Sequence, residues 1–467
     1  MHTTDGERPP EPAPRTLAAR RTALRDLLVA ALVFALAWWT LAPADPSRPD
    51  EDGLYGDETC WVAISIQHWA QLVDGAPPAG AQLDPPRWRE EGAWARGVQR
   101  TAFGYPSPCL GKLFLGAVLS ATGFREASPL VFTVFLQHDV EGGRAARAAL
   151  EPALPIARRV VLAFAALATV LLFFVARAAL PGGWGWLVAL LACTLLLASP
   201  IVRETAGDVR TDWFMLAFVL AAVLATLKAR GALAGRRGRK PLLLAGLGLG
   251  LLAGLAVASK LNGGLIVLCV VGWVLLLRRR GGAGIRARGA TLGALALAGV
   301  ATCAVFWALN PRLWAEPFGG VADILARWRE LFAYFQDDWA VRSGTAVGRT
   351  PGESVALFVD RTIHRDDPWH ALTGLRGGTL LLLGGLGVLG WRAWIPDPGP
   401  DRALRAEPAR VLFVFVLVFL CGSALWLPID WPRYFLPAAP CLALLQALAL
   451  AALVRVGARL AGAPRPA

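Results

Sequence analysis

Two adjacent carboxylates stand in an otherwise largely apolar stretch of the chain. Residues 54–69 read LYGDETCWVAISIQHW, which places Asp57 beside Glu58. A carboxylate can remove the proton of a hydroxyl nucleophile. It can also cap a helix, and Asp57 would then be the N-cap of a helix that begins near Thr59. In both interpretations the pair lies soon after a long hydrophobic segment, at the water face of a membrane.

A second charged group precedes another apolar segment. The stretch PIVRETAGDVRTDWFML at 200–216 contains Asp208, Arg210 and Asp212. Mutual ion pairs in a solvated loop would account for most of these residues. Asp212 differs because it stands at the start of a helix. A carboxylate there is stabilised by the helix dipole but is costly when it is buried in lipid.

Two cations stand at similar boundaries. Lys260 lies between two apolar segments in GLAVASKLNGGL (254–265), and Arg433 precedes the last apolar segment in LPIDWPRYFLPAAP (427–440). Each can extend to the membrane surface or bind a phosphate. Carboxylates that deprotonate a hydroxyl and cations that hold a phosphate leaving group together suit glycosyl transfer from a lipid-phosphate sugar.

One further stretch could bind a metal, and two cysteines could form a disulfide. His364, Asp366, Asp367 and His370 in HRDDPWH could ligate a metal, but their spacing matches no helical ligand pair, so we assign no metal ligand. Cys60 and Cys109 both fall in the first long loop. They form a disulfide if that loop is extracytoplasmic and oxidised, or they are two buried thiols.

The composition requires a membrane to position these residues. The 467 residues are 55% hydrophobic and 17% charged, with a net charge of +13 and a mean hydropathy of +0.49. Soluble proteins have about 25% charged residues, so the chain is predicted to be an all-α polytopic membrane protein. The basic residues form short clusters between apolar segments, which indicates a topology signal and no nucleic-acid partner.

About ten segments are apolar and long enough to span a bilayer. Arginine and lysine clusters fall on one side of this ten-helix path, which predicts cytoplasmic N- and C-termini. Residues 1–24 are predicted to be a disordered cytoplasmic tail, 25–455 the transmembrane domain, and 456–467 a second cytoplasmic tail. The predicted segments are 25–43, 156–178, 184–200, 211–228, 241–258, 260–277, 290–308, 378–394, 410–427 and 434–455.

The same path places three loops outside the cytoplasm, at about 44–155, 201–211 and 309–377. The first loop contains SPCLGKLFLGAVLSATGF (107–124), which we interpret as an interfacial helix on the outer face. The alternative is a membrane crossing that pairs with residues 129–137. The segment 25–43 has some features of a signal peptide, but its length and Trp38 and Trp39 favour an uncleaved first helix.

Several of these motifs, in this order, resemble the GT-C superfamily of integral-membrane glycosyltransferases. The resemblance is greatest to the branch that contains protein O-mannosyltransferases and bacterial lipid-A aminoarabinose transferases. It departs at Tyr105, where the family has His, and at Leu261, where the family has an aromatic residue. The motifs are GDETCWVAISIQHW, GYPSPCLGKLFLGAVL, RETAGDVRTDWFMLAFVLAAVL, GLGLGLLAGLAVASKLNGG and the closing RYFLPAAPCLALL.

The resemblance implies a GT-C-like bundle and a polyprenyl-phosphate sugar as the donor. It implies that the enzyme inverts the anomeric carbon with Asp57 as general base, supported by Glu58, and with Asp212 or Asp208 as a second acid. It establishes no cofactor, and a divalent metal at the second acid remains an alternative, as in some superfamily members. The cations expected to bind the donor phosphate are Lys260, Arg433, Lys112 and Arg210.

The acceptor is expected to be a hydroxyl of a protein, a glycolipid or a glycan. The site would face the periplasm or exterior of a bacterial inner membrane, in contact with membrane lipid. Two alternatives remain open at this point. The first is a transporter, although no internal repeat is visible. The second is a catalytically silent relative that binds a lipid carrier. The sequence leaves the sugar, the acceptor and the oligomeric state undetermined.

Overall fold

A computed structural model gives the path of the chain through most of its length. It describes residues 17–42, 58–74, 109–127, 131, 143–180, 183–234, 236–278, 285–310, 313–314, 317–334, 336–337, 340, 344–394, 402–425, 429–430 and 432–461. Within those residues the secondary structure is helical, apart from one isolated antiparallel bridge between Val347 and Ile429. The predicted all-α membrane fold is confirmed.

The helices follow one another along the chain with short turns of 3-10 or π geometry between some of them. In chain order they are α1 (Leu17–Leu41), α2 (Glu58–Asp74), α3 (Leu110–Ala121), α4 (Gly143–Ala148), α5 (Leu154–Ala179), α6 (Gly183–Ala198), α7 (Pro200–Ala206), α8 (Asp212–Leu233), α9 (Arg239–Ser259), α10 (Leu265–Arg278), α11 (Ile285–Ala308), α12 (Pro317–Tyr334), α13 (Pro351–Val359), α14 (Pro368–Thr373), α15 (Gly378–Trp394), α16 (Arg402–Leu425), α17 (Pro432–Phe435) and α18 (Ala439–Leu460).

Each of the ten predicted segments contains a helix, but the count of ten spans is not confirmed. In the described part of the chain, seven helical stretches are long and apolar enough to cross a membrane, namely those containing α1, α5, α8, α9, α11, α16 and α18. Two bent pairs raise the number to nine. The helices α6 and α7 meet at 66°, and the 351–373 stretch meets α15 at 93°. The one remaining predicted segment, 260–277, forms a shorter apolar helix over 261–277.

The first-loop helices form a layer of their own. α3 has 12 residues, so at about 1.5 Å per residue it is roughly 18 Å long, too short to cross the about 30 Å hydrocarbon core. It packs instead against α2, and the two share a small apolar core with Leu150 and Leu154 at the start of α5. This arrangement agrees with the predicted interfacial helix. Of residues 129–137, the partner in the alternative crossing, only Val131 lies within the described residues.

The centre of the bundle is built around α8. Trp213 and Phe214, at its start, are essentially fully buried, and the Trp213 Nε1–H donates to the carbonyl of Thr205 in α7 at 3.1 Å. This bond links α7 to the buried start of α8. The segment between them, residues 207–211, is thereby held at one end of the bundle.

Glycines bring α9 and α11 into close contact. A Cβ at Gly246 would lie 2.5 Å from the carbonyl oxygen of Ala294, and one at Gly250 would lie 2.3 Å from that of Ala298. The Thr302 hydroxyl donates to the Gly250 carbonyl at 3.0 Å. Small residues at a spacing of four allow membrane helices to approach in this way. The position of Lys260, immediately after α9, therefore depends on this contact.

The opposite end of the bundle brings two predicted cytoplasmic clusters together. Arg236, in the connection between α8 and α9, donates through Nη2 to Oε2 of Glu407 near the start of α16, at 2.7 Å. The basic segments 228–240 and 402–410 therefore lie at the same end of the molecule. This agrees with their predicted placement on one side of the membrane.

Candidate active site

Glu58 joins three parts of the chain at the other end of the bundle. It is the first residue of α2 and is 4% exposed. Arg158 of α5 donates through Nε to its Oε1 at 3.1 Å, and a second contact joins Arg158 Nη2 to Oε2. The backbone N–H of Val209 donates to the same Oε1 at 2.9 Å. Glu58 therefore fixes α2 against α5 and the 207–211 segment. Asp57 lies outside the described residues.

The segment before α8 contains a buried ion pair. Arg210 Nη2 lies 3.2 Å from Asp208 Oδ2, and the two residues are 8% and 7% exposed. Their backbone neighbour Val209 is the residue that bonds Glu58. The predicted first-loop and second-loop groups are therefore adjacent in space, although about 150 residues separate them in sequence.

Asp212 and Lys260 form a direct ion pair. Asp212 is the first residue of α8, where its charge also complements the helix dipole. Lys260 follows the last residue of α9 in extended conformation, and its Nζ contacts Asp212 Oδ1. The side chains are only 5% and 15% exposed. The sequence predicted both residues for the site, and the structure brings them into contact.

Tyr434 lies beside this pair with Arg433. The Lys260 Nζ is 5.4 Å from the centre of the Tyr434 ring, and the Arg433 guanidinium is also 5.4 Å from it. Asp212, Arg433 and Arg210 are the charged groups that act electrostatically on Lys260. Three predicted phosphate-binding cations thus meet at one place with a carboxylate among them. An anion that enters this group would find several positive charges fixed by the protein.

Lys112 lies in the α2–α3 layer. It is fully buried, its Nζ is 5.5 Å from the Trp61 ring, and its neighbours include His68 and Cys109. Burial lowers the pKa of Lys112 to about 8. Burial and then the Lys112 charge lower the pKa of His68 to about 3, so this imidazole is neutral at physiological pH.

The layer that holds Lys112 abuts the start of α8. A Cβ at Gly111, the residue before Lys112, would lie 2.7 Å from Thr211 Cγ2, and Thr211 directly precedes Asp212. All of the described candidate residues therefore lie on segments that meet at one end of the bundle.

An arginine network that the sequence did not predict borders the group. Arg361 lies 3.3 Å from Asp430 and 3.6 Å from Glu204, and it also contacts Asp366. Arg365 Nη2 donates to Asp430 Oδ2 at 2.6 Å. These contacts attach the segment that follows α13 to the second loop and to the residues before α17.

Arg158 was also missed, although the sequence contained a signal for it. It stands within the predicted membrane segment 156–178, and a charged residue in such a segment needs a partner. The partner is Glu58. The family resemblance implied a supporting role in catalysis for Glu58. The structure gives it two partners that hold the fold together.

The acidic and histidine residues of 364–370 have structural contacts. Asp367 accepts from the N–H of Trp369 at 3.2 Å, which caps α14, and from the Gln446 amide at 2.6 Å. Asp366 pairs with Arg361. Within the part of the chain that the structure describes, no three His, Cys, Asp or Glu side chains are grouped to hold a metal ion.

Cys60 and Cys109 are both buried and are not joined by a disulfide. The Cys60 thiol donates to the carbonyl of Val131 at 3.7 Å. The second of the two sequence-based alternatives, buried thiols, describes this structure.

Comparisons with known proteins gave matches in solved structures alone. A scan against protein-family models finds no match, and a search of curated proteins finds none. ArnT from Cupriavidus metallidurans in the apo state is similar over 95% of this chain and 63% of its own, with 17% identity and a TM-score of 0.46. The Archaeoglobus fulgidus oligosaccharyltransferase tethered with an acceptor peptide is similar over 95% and 52%, with 14% identity and a TM-score of 0.48.

A third match is the archaeal oligosaccharyltransferase AglB from Archaeoglobus fulgidus, in complex with an inhibitory peptide and a dolichol-phosphate. It covers 97% of this chain and 53% of its own, at 12% identity and a TM-score of 0.45. The chain thus spans between about half and two thirds of the length of these proteins. At these identities and TM-scores, function has to be argued from the contacts within this chain.

Proposed function

We propose that this chain transfers a sugar from a polyprenyl-phosphate donor to a hydroxyl acceptor at the extracytoplasmic face of a bacterial inner membrane. The observation that carries the proposal is the group formed by Asp212, Lys260, Arg433 and Tyr434. Lys260 contacts Asp212, and both cations lie 5.4 Å from the Tyr434 ring. The group stands at the ends of membrane helices, where the head group of a lipid would reach it.

The cations suit the leaving group of this reaction. When the bond between the sugar and the phosphate breaks, negative charge develops on the lipid phosphate, and preorganised cations stabilise that charge. Lys260 and Arg433 would make this contact, with Arg210 nearby and Lys112 in reserve. Because Lys260 is already paired with Asp212, its position is set before the donor binds.

The carboxylates suit the acceptor side. Asp57 would act as general base on the acceptor hydroxyl or position it for attack. The anchoring of Glu58 beside Val209 supports this role, because a peptide bond joins Asp57 to Glu58. The hydroxyl oxygen would attack the anomeric carbon with inversion, through a transition state of oxocarbenium character. Asp212, with Asp208 as the alternative, would orient sugar hydroxyls.

The direct test is sugar transfer by the purified, full-length protein from radiolabelled polyprenyl-phosphate sugars, with membrane extract as acceptor. Loss of a general base typically costs about 10²–10⁴-fold in rate. Asp57→Asn should therefore lower transfer by that amount while the variant elutes and melts like the wild type. Near-normal transfer by Asp57→Asn would refute its role as base.

Two other results would refute the wider proposal. A folded wild type that transfers no sugar but binds the donor would be a silent lipid-carrier-binding relative. A wild type that moves a solute across proteoliposomes without transfer would be a transporter.

A further inference from the structure

A small cavity lies against Tyr434, the residue whose ring is beside Lys260 of the Asp212–Lys260 pair. Its walls are Asn262, Leu265, Gly422, Ser423 and Tyr434. They come from the turn after Lys260, the start of α10, the last turn of α16 and α17. The cavity offers about 10 Å³ to the centre of a water-sized molecule, which is close to the minimum that one such group needs. It is therefore large enough for a single substituent and not for a whole sugar ring.

Two polar atoms in the cavity wall are buried without being used by the fold. Ser423 is 6% exposed, and neither its Oγ nor the Oδ1 of Asn262 has a hydrogen-bond partner among the described residues. Buried polar groups in proteins are nearly always paired, because leaving them unpaired costs free energy. Two such atoms in one cavity are therefore a signal for a ligand group that pairs them.

The charges around the cavity select the kind of group. Tyr434 forms one wall, and the cations Lys260 and Arg433 both lie 5.4 Å from its ring. The charge of Arg210 also acts on Lys260, and Asp212 is already paired with Lys260. A further positive charge, such as a sugar ammonium, would be repelled there. A neutral hydroxyl can donate to Asn262 Oδ1 and exchange a hydrogen bond with the Ser423 hydroxyl.

We infer that Asn262 and Ser423 bind one hydroxyl of the donor sugar, so that the sugar substituent at this position is a neutral hydroxyl and not an ammonium. This inference rests on the proposed function. It adds two specificity-determining residues to which the sequence analysis assigned no role and that take no part in the chemistry of bond breaking.

The test compares donors and variants in the transfer assay with full-length protein. Neutral and 4-amino polyprenyl-phosphate sugars are screened first. The monodeoxy analogues of the best donor are then measured with wild type, Ser423→Ala and Asn262→Ala. We expect a neutral donor to be preferred and one deoxy analogue to lose about tenfold or more in kcat/KM, as a site built to bind a hydroxyl requires. Each variant should lose a similar factor with the parent donor and no longer distinguish it from that analogue.

Ser259→Ala is the matched control, because its hydroxyl is buried next to Lys260 but donates to the carbonyl of Leu255 in its own helix at 2.8 Å. Ser259→Ala should keep the wild-type preference for the parent donor over the deoxy analogue.

If Ser423→Ala does not fold, the result with Asn262→Ala tests the inference. A preference for a sugar in which an ammonium replaces that hydroxyl, or an unchanged preference in the folded variants, would overturn the inference alone and leave the transferase in place. If all deoxy analogues react as well as the parent donor, the cavity holds only an ordered water, and the inference is likewise overturned. No transfer from any donor by wild type would overturn the proposed function itself.

Discussion

Arg158 and Glu58 are joined across one hundred positions of the sequence, with Nε of the arginine donating to Oε1 of the glutamate at 3.1 Å. Both side chains are almost completely buried. Removing one partner of a buried pair leaves an uncompensated charge, which typically costs about 3–5 kcal/mol. Glu58→Ala should therefore lower the thermal unfolding midpoint in detergent strongly, and Glu58→Leu with Arg158→Met should recover most of the loss. A midpoint unchanged in Glu58→Ala would show that the pair does not hold the fold.

The Asp212–Lys260 pair should behave as one unit in catalysis. Lys260→Met removes a cation from the leaving phosphate, and a loss of about 10²–10³-fold in kcat/KM is expected, as for removal of one preorganised donor. Asp212→Asn should lower it less. The double variant should be no worse than Lys260→Met, because contacting residues are not additive. Glu407→Gln breaks a pair at the opposite end of the bundle and serves as the control. If the losses in kcat/KM of the two single variants add up in the double variant, Asp212 and Lys260 act independently.

Arg433 should affect the donor and not the acceptor. Its guanidinium lies beside Tyr434 and acts on Lys260, so Arg433→Ala weakens the place where the donor phosphate would bind. The KM of the polyprenyl-phosphate sugar should rise about tenfold, in keeping with the loss of a charge-assisted contact. The KM of the acceptor should change little. A rise confined to the acceptor would remove Arg433 from the donor site.

Lys112 gives the reaction a testable dependence on pH. Its pKa is lowered by burial from 10.5 to about 8, so the cation is present below pH 8 and lost above it. If Lys112 assists donor binding, kcat/KM should fall as the pH rises through about 8, because this ratio reports groups of the free enzyme. Lys112→Arg, which keeps its charge, should lose that decline. The same decline in the arginine variant would assign it to another group.

The same shift has the opposite sign for stability. Between pH 8 and 10.5 the unfolded chain binds more protons than the folded one at this residue, so the free energy of unfolding rises with pH. An activity loss above pH 8 with no loss of folded protein would therefore separate catalysis from unfolding.

Asp430 should hold the third loop to the last membrane helix. It pairs with both Arg361 and Arg365, at 3.3 and 2.6 Å, and is 9% exposed. Asp430→Asn should make the 351–373 segment more sensitive to limited proteolysis and lower the unfolding midpoint. Asp337→Asn, which removes an exposed partner of Arg349, is the matched control and should do neither. Equal sensitivity of both variants would mean that the network does not attach the loop.

The sequence predicted the elements better than their contacts. Apolar runs of about 20 residues are dictated by the thickness of the bilayer, so the ten segments were found in the right places. Asp212 and Lys260 were predicted because charges at helix boundaries are costly and therefore informative. That they pair with each other could not be predicted, since no local pattern specifies which helix ends meet.

The third loop shows more clearly which contacts the sequence could not predict. Arg361 and Asp430 are 69 residues apart, and neither stands inside an apolar run that would mark it as unusual. Their pairing follows from the path of the whole bundle. The cavity at Asn262 and Ser423 is similar, because its walls come from separate helices and an asparagine in a turn has no periodicity to reveal its role.

The contact between α9 and α11 has a consequence for how this protein can vary. Gly250 is ten residues before Lys260, about 15 Å along the helix axis, and it tolerates no side chain facing Ala298. A single added methyl group in the middle of the membrane would push α9 away from its neighbour and carry the lysine with it. Under the proposed function, a substitution at this glycine would therefore lower sugar transfer, although Gly250 lies far from the residues that would meet the substrate.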